Sequence, residues 1–276
     1  MDEALAAWLD WLAAGGVRPR LAADLVREAD VHGPFPPQGG ARGAFQAGSG
    51  EAFVEHRAPQ EGIRADHATA SVVAALEQLD PGLAGQVVWD VGCGTGVLAA
   101  AAVRLGARHV VGTDLDPAAL PLARATVAAA GTTLAAYAGP DVEGVPAYEP
   151  WPDVVVANLP HKPASRGPWV PLSQAGGEDG CAAHEALVRN LAHHLARGSR
   201  ILFFLHSLPA PRLLARYAEI GELTLLRWKL RWFGRGEYGP AAEGFRQRAT
   251  EGRSWLVRNE AGREGLVAGV WLVTKR

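Results

Sequence analysis

Apolar residues recur at helical spacing near the start of the chain: Leu5, Trp8, Leu9 and Leu12, then Leu21, Leu25 and Val26. Gly15-Gly16 and Pro19 interrupt them, so residues 1–30 predict one or two helices. The run GPFPPQGGARGAFQAGSG, within residues 32–50, predicts a linker. Phe35 and Phe45 inside it read as packing anchors. A short strand or hairpin is expected at 52–57. A helix follows at 66–79, with Val72, Val73, Leu76 and Leu79 on one face.

From Val87 the pattern changes to alternation of strand and helix. Continuous apolar runs at 87–91, 109–113, 153–157 (DVVVA) and 200–205 (RILFFL), with a weaker one at 134–138, read as buried strands. Helical stretches at 96–105, 117–130, 182–196 and 211–220 separate them. Strands apolar on both faces and spaced by helices predict a doubly wound, mostly parallel sheet. The end of the chain differs. Arg227-Trp228-Lys229-Leu230-Arg231-Trp232 alternates with period two, and 266–274 is apolar, which predicts a terminal antiparallel strand pair. The alternation reads as tryptophans packed inward with charges to solvent; the competing reading is a basic, aromatic face for RNA. The polar, glycine-rich stretch 234–254 between them predicts a mobile loop that clamps a substrate.

Composition changes this picture little. Of 276 residues, 48% are hydrophobic and 20% charged, which excludes wholesale disorder. Two cysteines, Cys93 and Cys181, are too few for a disulfide framework and lack zinc-site spacing. No metal is expected, and a reducing, cytoplasmic setting is. The first residues carry acids without a basic stretch and do not read as a signal peptide. No apolar run is long enough for a transmembrane helix, so no membrane partner is expected. Net charge is −2, yet residues 221–276 hold 11 Lys/Arg against 6 Glu, a local +5 that points mildly to an anionic partner.

The candidate chemistry begins where the first strong strand ends, at Asp90-Val91-Gly92-Cys93-Gly94-Thr95-Gly96. Glycines between strand and helix allow a tight turn and close approach of a ligand to backbone. The next strand ends at Asp114, placed to accept hydrogen bonds from both hydroxyls of a ribose. A dinucleotide fits poorly. The third glycine of G-x-G-x-x-G would fall on Val97, and Asp90 beside the ligand would repel a pyrophosphate. A cationic ligand with an amine, a ribose and no phosphate fits better; S-adenosyl-L-methionine has all three properties.

At this point the chain resembles the class I, Rossmann-like methyltransferases. Their D-x-G-x-G-x-G pattern is met by Asp90, Gly92, Gly94 and Gly96, and their ribose acid by Asp114. The resemblance implies cofactor contacts from Asp90, Gly92, Cys93, Gly94, Gly96, Asp114, Leu115, Asp141 beside the adenine, and Asn158. The strand 153–157 runs into Asn158-Leu159-Pro160-His161, which resembles the [ND]-P-P-[YF] motif of methyltransferases acting on amide or ring nitrogens. An amide nitrogen is a poor nucleophile because its lone pair is delocalised. Two acceptors, the Asn158 oxygen and the Leu159 carbonyl, would fix its N–H groups and turn the lone pair toward the methyl carbon. His161 stands where the motif has an aromatic ring; it would cover a flat substrate group or serve as a general base. These four residues are the expected catalytic set.

Ala175-Gly176-Gly177-Glu178-Asp179-Gly180 is similar to a segment of release-factor glutamine methyltransferases. His67-Ala68-Thr69-Ala70 and the glycine loop look more like the ribosomal-protein lysine methyltransferases, whose H-x-T-T has a second Thr where Ala70 stands. His67 and Arg64 would line the cofactor entrance. The expectation is therefore an N-terminal helical element and linker (1–61) followed by a methyltransferase domain (62–276). The domain would use S-adenosyl-L-methionine to methylate an amide or amine nitrogen of a protein side chain. The alternatives are a base in RNA, which the basic C-terminal stretch favours, and a small-molecule amine.

Overall fold

The computed structural model describes residues 1–32, 43–45, 54–56, 66–164, 167 and 169–276. Phe35, Arg64, the side chain of Phe45 and most of the expected linker lie outside the described residues. The chain opens with α1 (Glu3–Ala14), β1 (Arg20–Arg27), β2 (Val31–His32), β3 (Gly43–Phe45) and β4 (Val54–His56). Then come α2 (His67–Glu77), β5 (Val87–Val91), α3 (Val97–Arg104), β6 (His109–Asp114), α4 (Ala119–Ala129), β7 (Ala135–Ala138) and β8 (Val154–Ala157). It closes with α5 (Ala182–Leu191), β9 (Arg200–His206), α6 (Arg212–Ile220), β10 (Gly221–Trp232), α7 (Ala241–Thr250), β11 (Val257–Arg258) and β12 (Glu264–Lys275). The chain divides into two compact units. The first takes its described residues from Met1–Phe35, Leu159–Glu185 and Leu205–Val273, the second from Pro36–Asn158, Ala186–Phe204 and Thr274–Arg276.

The second unit carries the expected parallel sheet. Its strands run in the order β9–β8–β5–β6–β7, and every pair is parallel. Each residue of β5 and β8 is buried, as strands covered on both faces require. Register lines up the carboxyl ends: Val91 lies opposite both Thr113 and Ala157. The turns after β5, β6 and β8 therefore leave the sheet along one edge, where ligands of open α/β sheets bind. α2 starts from an Asp66 N-cap and buries more than the expected face, because small Ala and Ser positions let it pack nearly all round.

In the first unit α1 is capped by the Asp2 carboxylate, which accepts from Ala4 N–H at 3.0 Å. It buries Leu5, Trp8 and Leu12, and Trp8 meets Trp271 edge-on at 5.4 Å. Residues 20–27 form a strand rather than a second helix. β1 pairs in parallel with β10, with an irregularity between Leu21 and Val26. β12 lies beside β10, Phe233 N–H donating to the Glu264 carbonyl at 2.9 Å, and β11 pairs antiparallel with β12. These strands include the expected terminal antiparallel pair. Within the stretch 234–254, expected as a loop, α7 forms.

The alternating segment also departs from expectation. Trp228 and Trp232 are buried as predicted, but Lys229 and Arg231 are only 4% and 6% exposed. The Glu28 carboxylate accepts from Arg227 Nε at 2.6 Å and from Lys229 Nζ at 2.8 Å, and Arg231 pairs with Glu237. Burial of these cations is offset by charge-assisted hydrogen bonds to carboxylates, which also reduce the positive charge of this segment.

Candidate functional site

The second unit gathers the glycine-loop residues at the carboxyl edge of its sheet. Gly92, Gly94 and Gly96 have φ of +70°, +50° and +76°, the left-handed region that glycine enters without steric cost. At Gly96 close packing adds a second constraint: a Cβ there would lie 2.6 Å from Ala123 Cα, so the start of α3 touches α4 backbone to backbone. Gly96→Ala is expected to destabilise the unit by about 3 kcal/mol, from overpacking plus a left-handed φ. An unchanged urea midpoint would contradict this.

Asp90 is buried at the end of β5. Its Oδ2 accepts from Ala99 N–H at 2.9 Å, while Oδ1 is buried and has no partner among the described residues. Burial pushes its carboxyl up from 3.8 to about 7, against the lowering effect of the Ala99 N–H and with help from the charge of Asp114. Asp114 is tied to the same loop: Oδ2 accepts from Gly94 N–H at 2.8 Å and Oδ1 from Asp116 N–H at 2.9 Å. Its carboxyl is also raised, by burial first, with those two N–H groups opposing. Each oxygen keeps a lone pair for a ribose hydroxyl. Cys93 is buried in the turn, its sulfur against Gly112, and burial drives its thiol well above the usual range. It acts as a packing residue. Leu115 is 63% exposed, offering an apolar side chain at the mouth of the loop.

Asp141 takes φ +58°, and its Oδ1 caps the N–H groups of Val142 and Glu143. Its Oδ2 accepts from Asn190 Nδ2 at 3.0 Å. The carboxylate first of all holds its own turn. Asn190, 49 residues away, had no signal in the sequence.

The buried, orphaned Asp90 oxygen suits the donor set of S-adenosylmethionine, because a carboxylate lacking a partner favours a cationic, amine-bearing neighbour. Gly94 and Gly96 permit backbone approach, and Asp114 faces the loop with acceptor capacity to spare.

Asn158 follows β8. Ala157 pairs with Val91 at the ends of β8 and β5, and Asn158 and Gly92 are the residues that follow these ends. Asn158 Nδ2 donates to Thr69 Oγ1 at 3.2 Å. His67, expected at the entrance, meets Phe204 edge-on at 5.8 Å.

In the first unit the Leu159 carbonyl accepts from His161 Nδ1 at 2.6 Å. A carbonyl cannot donate, so His161 carries its proton on Nδ1. The ring is buried 4.0 Å from the His206 ring and 5.8 Å from that of His184. His184 Nδ1 bonds Tyr217 Oη at 2.7 Å. Burial, then the charge of His161, hold the His184 imidazole well below its usual range. His161 thus packs into a cluster of tilted and edge-on histidine rings and braces the Leu159 carbonyl. The glycine segment closes on the same backbone: a Cβ at Gly176 would lie 2.8 Å from His161 Cα, and one at Gly180 2.6 Å from the His161 carbonyl oxygen. Among the described residues no group of three His, Cys, Asp or Glu is arranged to hold a metal ion, and no helix is long and apolar enough to cross a membrane.

The family model of ribosomal protein L11 methyltransferases (PrmA) matches residues 65–163, a span containing the glycine loop, Asp114 and Asn158-Leu159-Pro160-His161. A ribosomal protein L11 methyltransferase of Geobacter metallireducens is 54% identical over 65 residues, 24% of this chain and 21% of the relative. One of Deinococcus radiodurans is 43% identical over 99 residues, 34% of this chain and 35% of the relative. The chain therefore spans between about a fifth and a third of the length of these curated relatives. Among solved structures, a 16S rRNA N2 G1207 methyltransferase of Thermus thermophilus, in complex with AdoMet and guanosine, superposes with a TM-score of 0.51 at 21% identity. The match covers 87% of this chain and 52% of that one. The YcgJ protein of Bacillus subtilis gives a TM-score of 0.51 at 16% identity, covering 75% and 98%. These likenesses show the fold, which is Rossmann-like.

Proposed function

We propose that this chain is an S-adenosylmethionine-dependent N-methyltransferase that methylates an amide or amine nitrogen of a protein side chain. One observation supports the reading: β5 and β8 are paired up to Val91 and Ala157, so the glycine loop and Asn158 both follow the same carboxyl edge of the sheet. When bound, S-adenosylmethionine supplies an electrophilic methyl group on a sulfonium. Asp114 would hold the ribose hydroxyls, the glycine loop would approach by backbone, Asp90 would face the cationic end, Leu115 would contact the cofactor and Asp141 would stand beside the adenine. Asn158 Oδ1 and the Leu159 carbonyl accept the N–H bonds of the acceptor nitrogen and aim its lone pair, a contribution of orientation above all. His161 holds that carbonyl in place.

The relatives named for ribosomal protein L11 favour a protein acceptor, a ribosomal protein first. The ion-paired state of Arg227, Lys229 and Arg231 weakens the case for an RNA-binding strand. Two buried, free cysteines fit a reducing, cytoplasmic setting. The test is to incubate the purified chain and tritiated cofactor with cell lysate and with recombinant ribosomal protein L11. Label that survives nuclease and is lost to protease is expected. Label lost to nuclease and kept through protease would move the acceptor to RNA. Cofactor binding with no transfer to any macromolecule would overturn the reading.

A further inference from the structure

The hydroxyl of Thr69 sits where three hydrogen-bonding groups meet. Asp66, the N-cap of α2, accepts from Ala68 N–H and Thr69 N–H, both at 3.0 Å, through Oδ1. The same Oδ1 lies 3.3 Å from Thr69 Oγ1. An ionised carboxylate only accepts, so the single hydroxyl proton of Thr69 is directed to Asp66. Two lone pairs remain on Oγ1. One takes the Asp66 backbone N–H at 3.4 Å. The other faces Asn158, whose Nδ2 lies 3.2 Å away. A lone pair there requires a donor, and the donor end of an amide is its NH2. Asn158 must therefore turn its nitrogen to Thr69 and its oxygen the other way.

The geometry points to Thr69 as a positioning residue: the Asp66–Thr69 cap selects the amide orientation in which Asn158 presents Oδ1 to the acceptor nitrogen. The inference rests on the proposed role of Asn158. It adds the reason that role needs a specific helix start 89 residues upstream. Without the hydroxyl the amide can flip and present NH2, which repels the N–H groups it must receive. The acceptor is then held in the wrong register while the cofactor loop is untouched. Thr69 itself is buried, with the cap closed around it.

The test compares Thr69→Val, which keeps shape and loses the hydroxyl, with Thr69→Ser, which keeps the hydroxyl. Each is made in the parent chain and in an Asn158→Ala background. Initial rates are read at saturating tritiated cofactor with lysate protein as acceptor. Thr69→Val is expected to slow transfer by about tenfold to a hundredfold with cofactor affinity unchanged, the scale on which small misplacements act. Thr69→Ser should stay within about threefold of the parent, because the donor and acceptor set is restored. In the Asn158→Ala background Thr69→Val should change nothing further, since its effect runs through that amide. Independently of turnover, the Asn158 side-chain NH2 signals in nitrogen-15 spectra should shift in Thr69→Val and hold in Thr69→Ser. Unchanged NH2 signals in Thr69→Val would overturn the inference. So would equal losses in both Thr69 variants, or a loss that adds to Asn158→Ala; each marks a general effect on helix stability, which melting temperatures would report. Full activity in Thr69→Val with activity lost in Asn158→Ala would sink this inference and leave the proposed function standing. Full activity in Asn158→Ala would sink the proposed function instead.

Discussion

Asn158→Ala is expected to lower methyl transfer by about 10²–10³-fold, equivalent to about 3–4 kcal/mol of transition-state stabilisation. Cofactor affinity should stay within a few-fold. The reasoning starts from the acceptor. A delocalised nitrogen attacks poorly unless its N–H bonds are fixed and its lone pair is aimed, and an amine must first give up its ammonium proton to have a lone pair at all. Asn158 Oδ1 is one of two acceptors available for that; the Leu159 carbonyl is the other and survives the substitution. The residual rate should therefore remain above background. The cost to folding is small, since the amide donates to Thr69, which stays capped by Asp66. Single-turnover rates and calorimetric cofactor affinity separate the two effects. A variant that transfers as fast as the parent would remove Asn158 from the reaction. Asn158→Asp is the informative companion. It keeps an acceptor oxygen but has no N–H for Thr69, so its rate should fall between parent and alanine.

Cofactor binding below pH 7 should release a proton, and the source should be Asp90. Its carboxyl, ordinarily near 3.8, stands at about 7 in the folded chain, chiefly because burial disfavours the charged form. In the pH window from about 4 to 7 the folded chain keeps a proton that the unfolded chain has released. Stability therefore falls as pH rises through that window, by about 1.4 kcal/mol per pH unit at most and on the order of 4 kcal/mol in full, and is flat above it. Asp114, raised in the same direction, adds to the slope. A cationic ligand beside the orphaned Oδ1 reverses the preference: it favours the carboxylate, so binding expels the proton and affinity rises with pH until it levels near 7. Calorimetry in two buffers of different ionisation enthalpy should show proton release at pH 6 and none at pH 8. Asp90→Asn should abolish that release and flatten part of the stability slope. If the release persists in Asp90→Asn, the proton comes from another group and the assignment fails.

The legible parts of this chain share one property: their structure follows from neighbours in sequence. VVWDV has no polar residue on either face except Asp90 at its end, and glycines follow at once. A buried parallel strand, a tight turn and a helix are what that order permits. The position of Asn158 was readable because it follows another such strand. The unread parts depend on partners far away. Leu21, Leu25 and Val26 have helical spacing, yet 20–27 is a strand because β10, about 200 residues on, supplies its hydrogen-bonding edge. α7 has a mostly polar circumference with Phe245 and Arg248 buried, so periodicity scarcely marks it. The basic alternation at 227–231 showed which residues share a face, and Glu28, which pairs with two of them, lies on the far side of the sequence.

By itself the sequence determined the strand–glycine loop–helix unit, the acid at the end of the next strand and the Asn158-Leu159-Pro160-His161 segment after β8. Local burial patterns and backbone requirements act over a few residues and leave their mark in residue type. Only the tertiary structure decided that Asp90 keeps an oxygen without a partner among the described residues, that His161 braces the Leu159 carbonyl, and that the Asp66–Thr69 cap sets the face Asn158 presents. Hydrogen-bond satisfaction and desolvation depend on which distant groups chain folding brings within about 3 Å, and no local pattern encodes that meeting.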